Sequence, residues 1–236
     1  MTSQTPTSSA SAVVFGASGG IGSALVNALS RDSRYVAVLA FSRSGPLSFD
    51  LTDEKSIAAA ALEVSKNGQT FHTIIDATGA LAAEGCSVEK SWRQLDPAAM
   101  ARAFQINAIG PALLMKHFLP LLSRNGKSVF ATLSARVGSI GDNQLGGWYS
   151  YRASKAALNQ LVRTAAIELR RSNPAALCVA LHPGTVDTSL TRQFTKNGLE
   201  VQTPEVSAGK LLAVIDRLDQ SDNGTFIDQH GCTIAW

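Results

Sequence analysis

The residues best suited to do chemistry in this chain are Tyr151 and Lys155, in the stretch Trp148-Tyr149-Ser150-Tyr151-Arg152-Ala153-Ser154-Lys155. A spacing of four places both side chains on one helix face, one turn apart. An ammonium beside a phenol favours the phenolate and lowers the tyrosine pKa, which makes Tyr151 a candidate proton donor. An ordinary tyrosine titrates near ~10, so an acid working near neutrality needs roughly 4 kcal/mol of selective phenolate stabilisation. One lysine does not easily supply that, and a second positive charge is expected nearby. Tyr149 is a poorer candidate, because the residue four positions on is Ala153. The ordinary alternative is a Tyr/Lys couple on a helix surface, so the rest of the chain has to decide.

The apolar pattern over residues 156–169 predicts that the pair sits at the start of a helix reaching about Arg171, stopped by Asn173-Pro174. At the other end of the chain, Val13-Val14-Phe15 reads as a strand and residues 21–29 as a helix. Between them lies Gly16-Ala17-Ser18-Gly19-Gly20-Ile21-Gly22. A strand, glycine turn and helix in that order offer backbone N–H groups and a positive helix end to a pyrophosphate. A second strand over residues 35–41 ends in Ser42-Arg43-Ser44, where a dinucleotide fold meets the adenosine ribose. An Asp or Glu there would bind a ribose 2′-hydroxyl; a small serine followed by Arg43 suits a 2′-phosphate instead. A hydrogen bond to a charged group contributes roughly 1.5–3 kcal/mol, which predicts a preference for NADP(H) over NAD(H) of about ten- to a hundredfold.

Further along, Asp50-Leu51-Thr52-Asp53 precedes a helix over residues 54–65, with Thr52 or Asp53 as its cap. Thr73-Ile74-Ile75-Asp76 is a strand ending in the small residues Ala77-Thr78-Gly79-Ala80, at the sheet edge where ligands sit in open parallel sheets. Pro97 starts a long helix to about Leu122 with Asn107 in its interior, a poor helix residue that asks for a reason. Residues 127–133 form a strand delivering Ser134, and residues 176–181 one that runs into His182-Pro183-Gly184. Residues 189–201 read as a short flap, 204–218 as a last helix and 225–227 as a closing strand. Strands alternate with helices without a linker, which predicts one doubly wound parallel α/β sheet.

Composition narrows the partners. A net charge of +3 on 236 residues argues for neither nucleic acid nor a membrane surface. No apolar run is long enough to span a bilayer. Cys86, Cys178 and Cys232 are dispersed with no CxxC pair, and the four histidines are scattered, so neither a disulfide framework nor a metal site is expected. That usage fits a reducing, cytoplasmic setting. The Ser/Thr-rich beginning has no Lys or Arg and reads as a disordered tail over residues 1–11, followed by a single domain over 12–236.

Gly16, Gly20, Gly22, Asn107, Ser134, Tyr151-xxx-Lys155 and Pro183-Gly184, in this order and spacing, resemble the short-chain dehydrogenase/reductase family. The likeness covers essentially the whole chain. The residues 224–236, closing on Trp236, are similar to its small carbonyl-reductase and C-factor-like branch. The resemblance implies a Rossmann-type fold with helices on both faces of the sheet and catalytic roles for Asn107, Ser134, Tyr151 and Lys155. Tyr151 would exchange a proton with the carbonyl or alcohol oxygen. Lys155 would lower its pKa and hold the nicotinamide ribose, the oxidised nicotinamide supplying the second positive charge. Ser134 would bond the substrate oxygen, and Asn107 would help order a water leading from Lys155. The cofactor would lie on Gly16, Ser18, Gly20, Ile21 and Gly22, on Ser42, Arg43, Asp50 and Leu51, on Ala77, Thr78 and Gly79, and on Pro183, Gly184, Val186 and Thr188, with Asp50 near the adenine.

Two departures stand out. The family's Asn-Asn-Ala-Gly-like turn is Asp76-Ala77-Thr78-Gly79 here, and the glycine turn carries Ser18 and Gly19 where many NADP-dependent members have a basic residue. The function implied is an NADP(H)-dependent reductase of a ketone or aldehyde, acting on a small molecule as a homodimer or homotetramer. The alternative is a nucleotide-binding sensor or signalling protein with little turnover.

Overall fold

The computed structural model describes residues 10–66, 68–82, 87–188 and 201–236. The first strand, β1 (Ala10–Phe15), alternates its side chains between two cores, Val13 and Phe15 to one face, Ala12 and Val14 to the other. Its neighbours follow in chain order: α1 (Gly20–Arg31), β2 (Tyr35–Ser42), β3 (Leu47–Ser48), α2 (Glu54–Ser65) and β4 (Thr73–Asp76). Then come α3 (Pro97–Phe104), α4 (Gly110–Phe118), β5 (Ser128–Leu133), α5 (Tyr149–Ser172) and β6 (Ala176–His182). The chain closes through β7 (Thr185–Val186), β8 (Val201–Gln202), α6 (Pro204–Arg217) and β9 (Phe226–Asp228). Seven strands form one parallel sheet in the order β3-β2-β1-β4-β5-β6-β9, and β7 pairs with β8 apart from it. Strand order reverses between β1 and β4, so the carboxyl ends of those strands open a crevice.

Helices α1 and α6 cover one face through Leu25, Leu29, Leu211 and Val214. Helices α2, α4 and α5 cover the other through Ile57, Leu114, Phe118, Leu158 and Val162. Phe15, Phe41, Phe49 and Phe118 form an aromatic cluster in that second core, with ring centroids 4.7 to 6.3 Å apart.

Two details differ from the sequence expectation, and a third expectation lies outside the described residues. The strand begins at Ala10, so Ala10 and Ser11 belong to β1 and not to the tail; residues 1–9 lie outside the described residues. The expected flap lies outside them too, except Val201, which starts β8. The long helix from Pro97 is interrupted by a π-helical turn over Gln105–Ile109. Pro111 explains it: proline donates no N–H and crowds the carbonyl four residues back, that of Asn107, so the ladder widens. Gly110 accordingly bonds the carbonyl of Gln105. A side chain at Gly110 would collide with Leu51 at 2.5 Å, so this glycine also lets the helix approach the β3–α2 connection.

Candidate active site

The glycine turn is built by backbone. Gly16 has φ +75°, and a Cβ there would lie 2.8 Å from the carbonyl of Ala77. A Cβ on Gly22 would lie 2.1 Å from the carbonyl of Gly16, so the start of α1 can sit on β1 only with glycine. No side chain caps α1 and no acidic residue stands in its first turn. Its N–H groups and positive end therefore suit an anion such as a pyrophosphate.

A cleft of about 430 Å³ runs from this turn along the carboxyl ends of the strands. All of the residues expected to hold cofactor or substrate line it, except Asn107, Gly184 and Val186. Gly184 (φ +79°) and Val186 shape the turn into β7, where a Cβ on Gly184 would meet Gln202 at 2.5 Å. Pro183 does line the cleft, and its carbonyl accepts from Gln202 Nε2 (2.7 Å) and Ser207 Oγ (2.9 Å). His182 has a structural part: its Nδ1 accepts from the backbone of Arg136, and burial first, then Arg136, pulls its pKa down to about 4.

At the end expected to take the adenosine, Ser42 is buried and Arg43 exposed. Among the described residues Arg43 makes no hydrogen bond or ion pair. Asp50 Oδ1 accepts from the backbone N–H (2.8 Å) and hydroxyl (2.7 Å) of Thr52, which hold its carboxyl below the usual range, helped by Arg102 and Arg43. Much of Asp50 is thus spent on the local turn, while Asp53 caps α2. Arg102, on α3, lines the same end of the cleft and donates to Gln105 (2.7 Å). The sequence carried no signal for it, because α3 meets this edge only through the tertiary fold.

The other end is buried. Tyr151 is 8% exposed and Lys155 3%, one helical turn apart as expected. Lys155 Nζ donates to the carbonyl of Leu133 at 2.7 Å and lies 6.0 Å from the centre of the Tyr151 ring. Leu81, Val88 and the edge of Trp148 pack around Tyr151. Asn107, in the π turn, clamps the turn after β4: Oδ1 accepts from Ala80 N–H (2.9 Å), and Nδ2 donates to Ala80 O (2.8 Å) and Ser154 Oγ (3.1 Å). A Cβ on Gly79 would lie 3.4 Å from Asn107 Oδ1 and 3.5 Å from Lys155 Nζ, which shows how closely the three meet.

Ser134 donates to Asn159 Oδ1 at 2.7 Å. The sequence did hold a signal for Asn159, since Tyr151, Lys155 and Asn159 follow at steps of four along one face of α5. The unusual Asp76 is wholly buried and fully satisfied. Oδ1 accepts from Thr78 N–H (3.0 Å) and Oγ1 (2.5 Å), and Oδ2 from Thr132 Oγ1 (2.7 Å), so it ties the β4 turn to β5.

The expected lowering of Tyr151 by its lysine meets an opposing effect, burial. Burial pushes the Tyr151 phenol up to about 12, and no lowering by Lys155 is seen. Burial likewise pulls Lys155 down to about 8, opposed by the charge of Asp76. Desolvation acts on both groups more strongly than they act on each other. Among the described residues no group of three or more His, Cys, Asp or Glu could hold a metal ion, and no helix is long and apolar enough to cross a membrane.

A parallel sheet with a glycine turn at its strand-order reversal, opening on a buried Tyr/Lys pair, defines a nicotinamide-dependent oxidoreductase. A family profile described as enoyl-(acyl carrier protein) reductase matches residues 16–211. The chain belongs to the short-chain dehydrogenase/reductase family. It is 33% identical over 187 residues to 1-hydroxy-2-glutathionyl-2-methyl-3-butene dehydrogenase of Rhodococcus sp. strain AD45, covering 79% of this chain and 78% of that one. It is 37% identical over 143 residues to C-signal of Myxococcus xanthus, covering 60% and 81%. Its structure is similar to an NADPH-bound carbonyl reductase from chicken fatty liver, with TM-score 0.82, 28% identity and coverage of 96% and 94%.

Proposed function

We propose that this oxidoreductase reduces a ketone or aldehyde with NADPH, or runs the reverse reaction, with Tyr151 as acid and base. The observation that carries this reading is the buried Tyr151–Lys155 pair, with Ser134, on the wall of the cleft that reaches Arg43. When bound, the nicotinamide cofactor supplies the hydride and, once oxidised, the second positive charge that Tyr151 needs. Ser134 swings its single hydroxyl proton from Asn159 Oδ1 to the substrate oxygen, to which Tyr151 also gives its proton. Lys155, anchored on Leu133 beside Gly79, holds the ribose hydroxyls. Asn107 keeps the turn after β4 in place with its side chain, which leaves its backbone carbonyl, denied an N–H by Pro111, to order the water expected beside Lys155. The exposed Arg43 guanidinium takes the 2′-phosphate. The resemblance to an NADPH-bound carbonyl reductase supports the same cofactor and substrate class.

The test is NADPH oxidation across a panel of ketones and aldehydes, with Tyr151→Phe alongside. Tyr151→Phe should lower kcat about 10²- to 10⁴-fold while NADPH still binds. A wild type that binds NADPH and turns nothing over would favour the second reading, a nucleotide-binding signalling protein, for which the likeness to C-signal speaks.

The proposal extends to assembly and setting. The described residues form one cofactor-binding domain, and the dispersed cysteines fit the cytoplasm. A groove of about 630 Å³ between α4 and α5, walled by Ala112, Met115, Leu119, Leu161 and Ala165, suits pairing of these helices with those of a second copy. Sedimentation should give a homodimer or homotetramer, and a monomeric mass would overturn that part.

A further inference from the structure

Tyr151 is the third residue of α5, so its position depends on the first turn of that helix. The approach to this turn is strained. Gly146 and Gly147 have φ +62° and +68°, and Trp148 follows at φ 53°, ψ 43°, the only described non-glycine residue with positive φ. For such a residue the left-handed conformation costs roughly 1–2 kcal/mol and has to be held by its surroundings. The Trp148 side chain does not cap the helix, and no acidic residue stands in its first turn.

The holding group comes from 61 residues upstream. Glu89 is buried, and three of its oxygens face this turn. Its backbone carbonyl accepts from the N–H of Trp148 at 2.5 Å. One carboxylate oxygen accepts from the N–H of Ser150 at 3.3 Å, and the other bonds the Ser150 hydroxyl. A carboxylate at a helix N-terminus pairs an orphan N–H and meets the positive end of the dipole. On the opposite side Arg152 donates to the carbonyls of Gly147 (3.0 Å) and Val137 (3.2 Å). The residue before Glu89, Val88, packs against Tyr151 itself.

We infer that Glu89 is a positioning residue of the active site: it caps α5 in trans, fixes the strained Trp148 and so sets where the Tyr151 hydroxyl points. The inference rests on the reading of Tyr151 as the acid. Glu89 does not line the cofactor cleft, so its loss should fall on kcat and not on NADPH binding. A displacement of about 1 Å can cost a proton-transfer geometry ~10²-fold.

The experiment uses the full chain. Glu89→Ala should lower kcat about 10- to 100-fold and leave the Kd for NADPH within about twofold. Glu89→Gln keeps an acceptor for the Ser150 N–H and a donor for its hydroxyl, so it should stay within about threefold of wild type. In hydrogen exchange without cofactor, the peptide over residues 147–152 should open at least about tenfold faster in Glu89→Ala, while α1 and α6 stay protected. Wild-type kcat and exchange in Glu89→Ala would overturn the inference, as would equal losses of kcat and NADPH affinity with faster exchange throughout. If Glu89→Ala does not fold, Ser150→Ala decides: a severalfold lower kcat with faster local exchange supports the inference, and no change sinks it. Should Tyr151→Phe match wild type, the reductase reading fails by itself, and the exchange result still shows whether Glu89 holds the turn.

Discussion

The two ends of the cleft solve different physical problems. At the adenosine end Arg43 and Arg102 stand near water, and Asp50 satisfies itself on Thr52. At the catalytic end Tyr151, Lys155, Asn107 and Asp76 are buried, and burial displaces the titrating groups by more than their neighbours do. Charges in solvent select a ligand through screened contacts and cost the fold little. Buried ones destabilise the fold and reward it only when a ligand completes the set of charges.

The largest break of this contrast is Lys155→Met, which should lower kcat at least ~10³-fold, since the ribose contact and the charge beside Tyr151 go together. The same change should make the cofactor-free protein more stable. Lys155 titrates at about 8 in the fold against 10.5 for the free side chain, so between those values the unfolded chain binds more protons. Stability from this residue therefore rises as pH climbs from about 8 to 10.5, and below 8 the buried ammonium costs at most about 3 kcal/mol. Tyr151 acts oppositely only above pH 10, since its phenol stays protonated to about 12 in the fold. Denaturant melts of wild type and Lys155→Met from pH 7 to 10 should converge as pH rises. A constant gap would remove burial as the cause.

A smaller effect is expected at the exposed end. Arg43→Ala should weaken NADPH about 10- to 100-fold and NADH hardly at all. Arg102→Ala should weaken NADPH about threefold to tenfold, and added salt should narrow both differences. Binding titrations with both cofactors at two ionic strengths read this directly; equal losses for NADH and NADPH would sink the 2′-phosphate role of Arg43.

The order of elements was legible because each carries a local signal: the apolar run of β1 before Gly16, the apolar face of α5, and the candidate caps Thr52 and Asp53 ahead of α2. The glycine turn was legible because close backbone approach has no other residue to use. Asn107 was legible as an oddity, but not its reason, since the π turn follows from Pro111 and the clamp from Ala80. Glu89 and Arg102 were not legible at all. Each acts on a segment dozens of residues away, and no local pattern records that meeting.

By itself, then, the sequence determined the alternation of strands and helices, the glycine turn and the Tyr151–Lys155 spacing. Each of these depends on residues within a few positions of one another. The tertiary structure added burial to the electrostatics of that pair, which the sequence suggested was a tyrosine softened in part by its lysine and in need of a second positive charge. Folding buries both groups beneath Val88, Trp148 and the strand ends, and desolvation depends on everything packed around a group. The tertiary structure also decided what holds Tyr151 in place, a carboxylate from a distant turn at the head of α5.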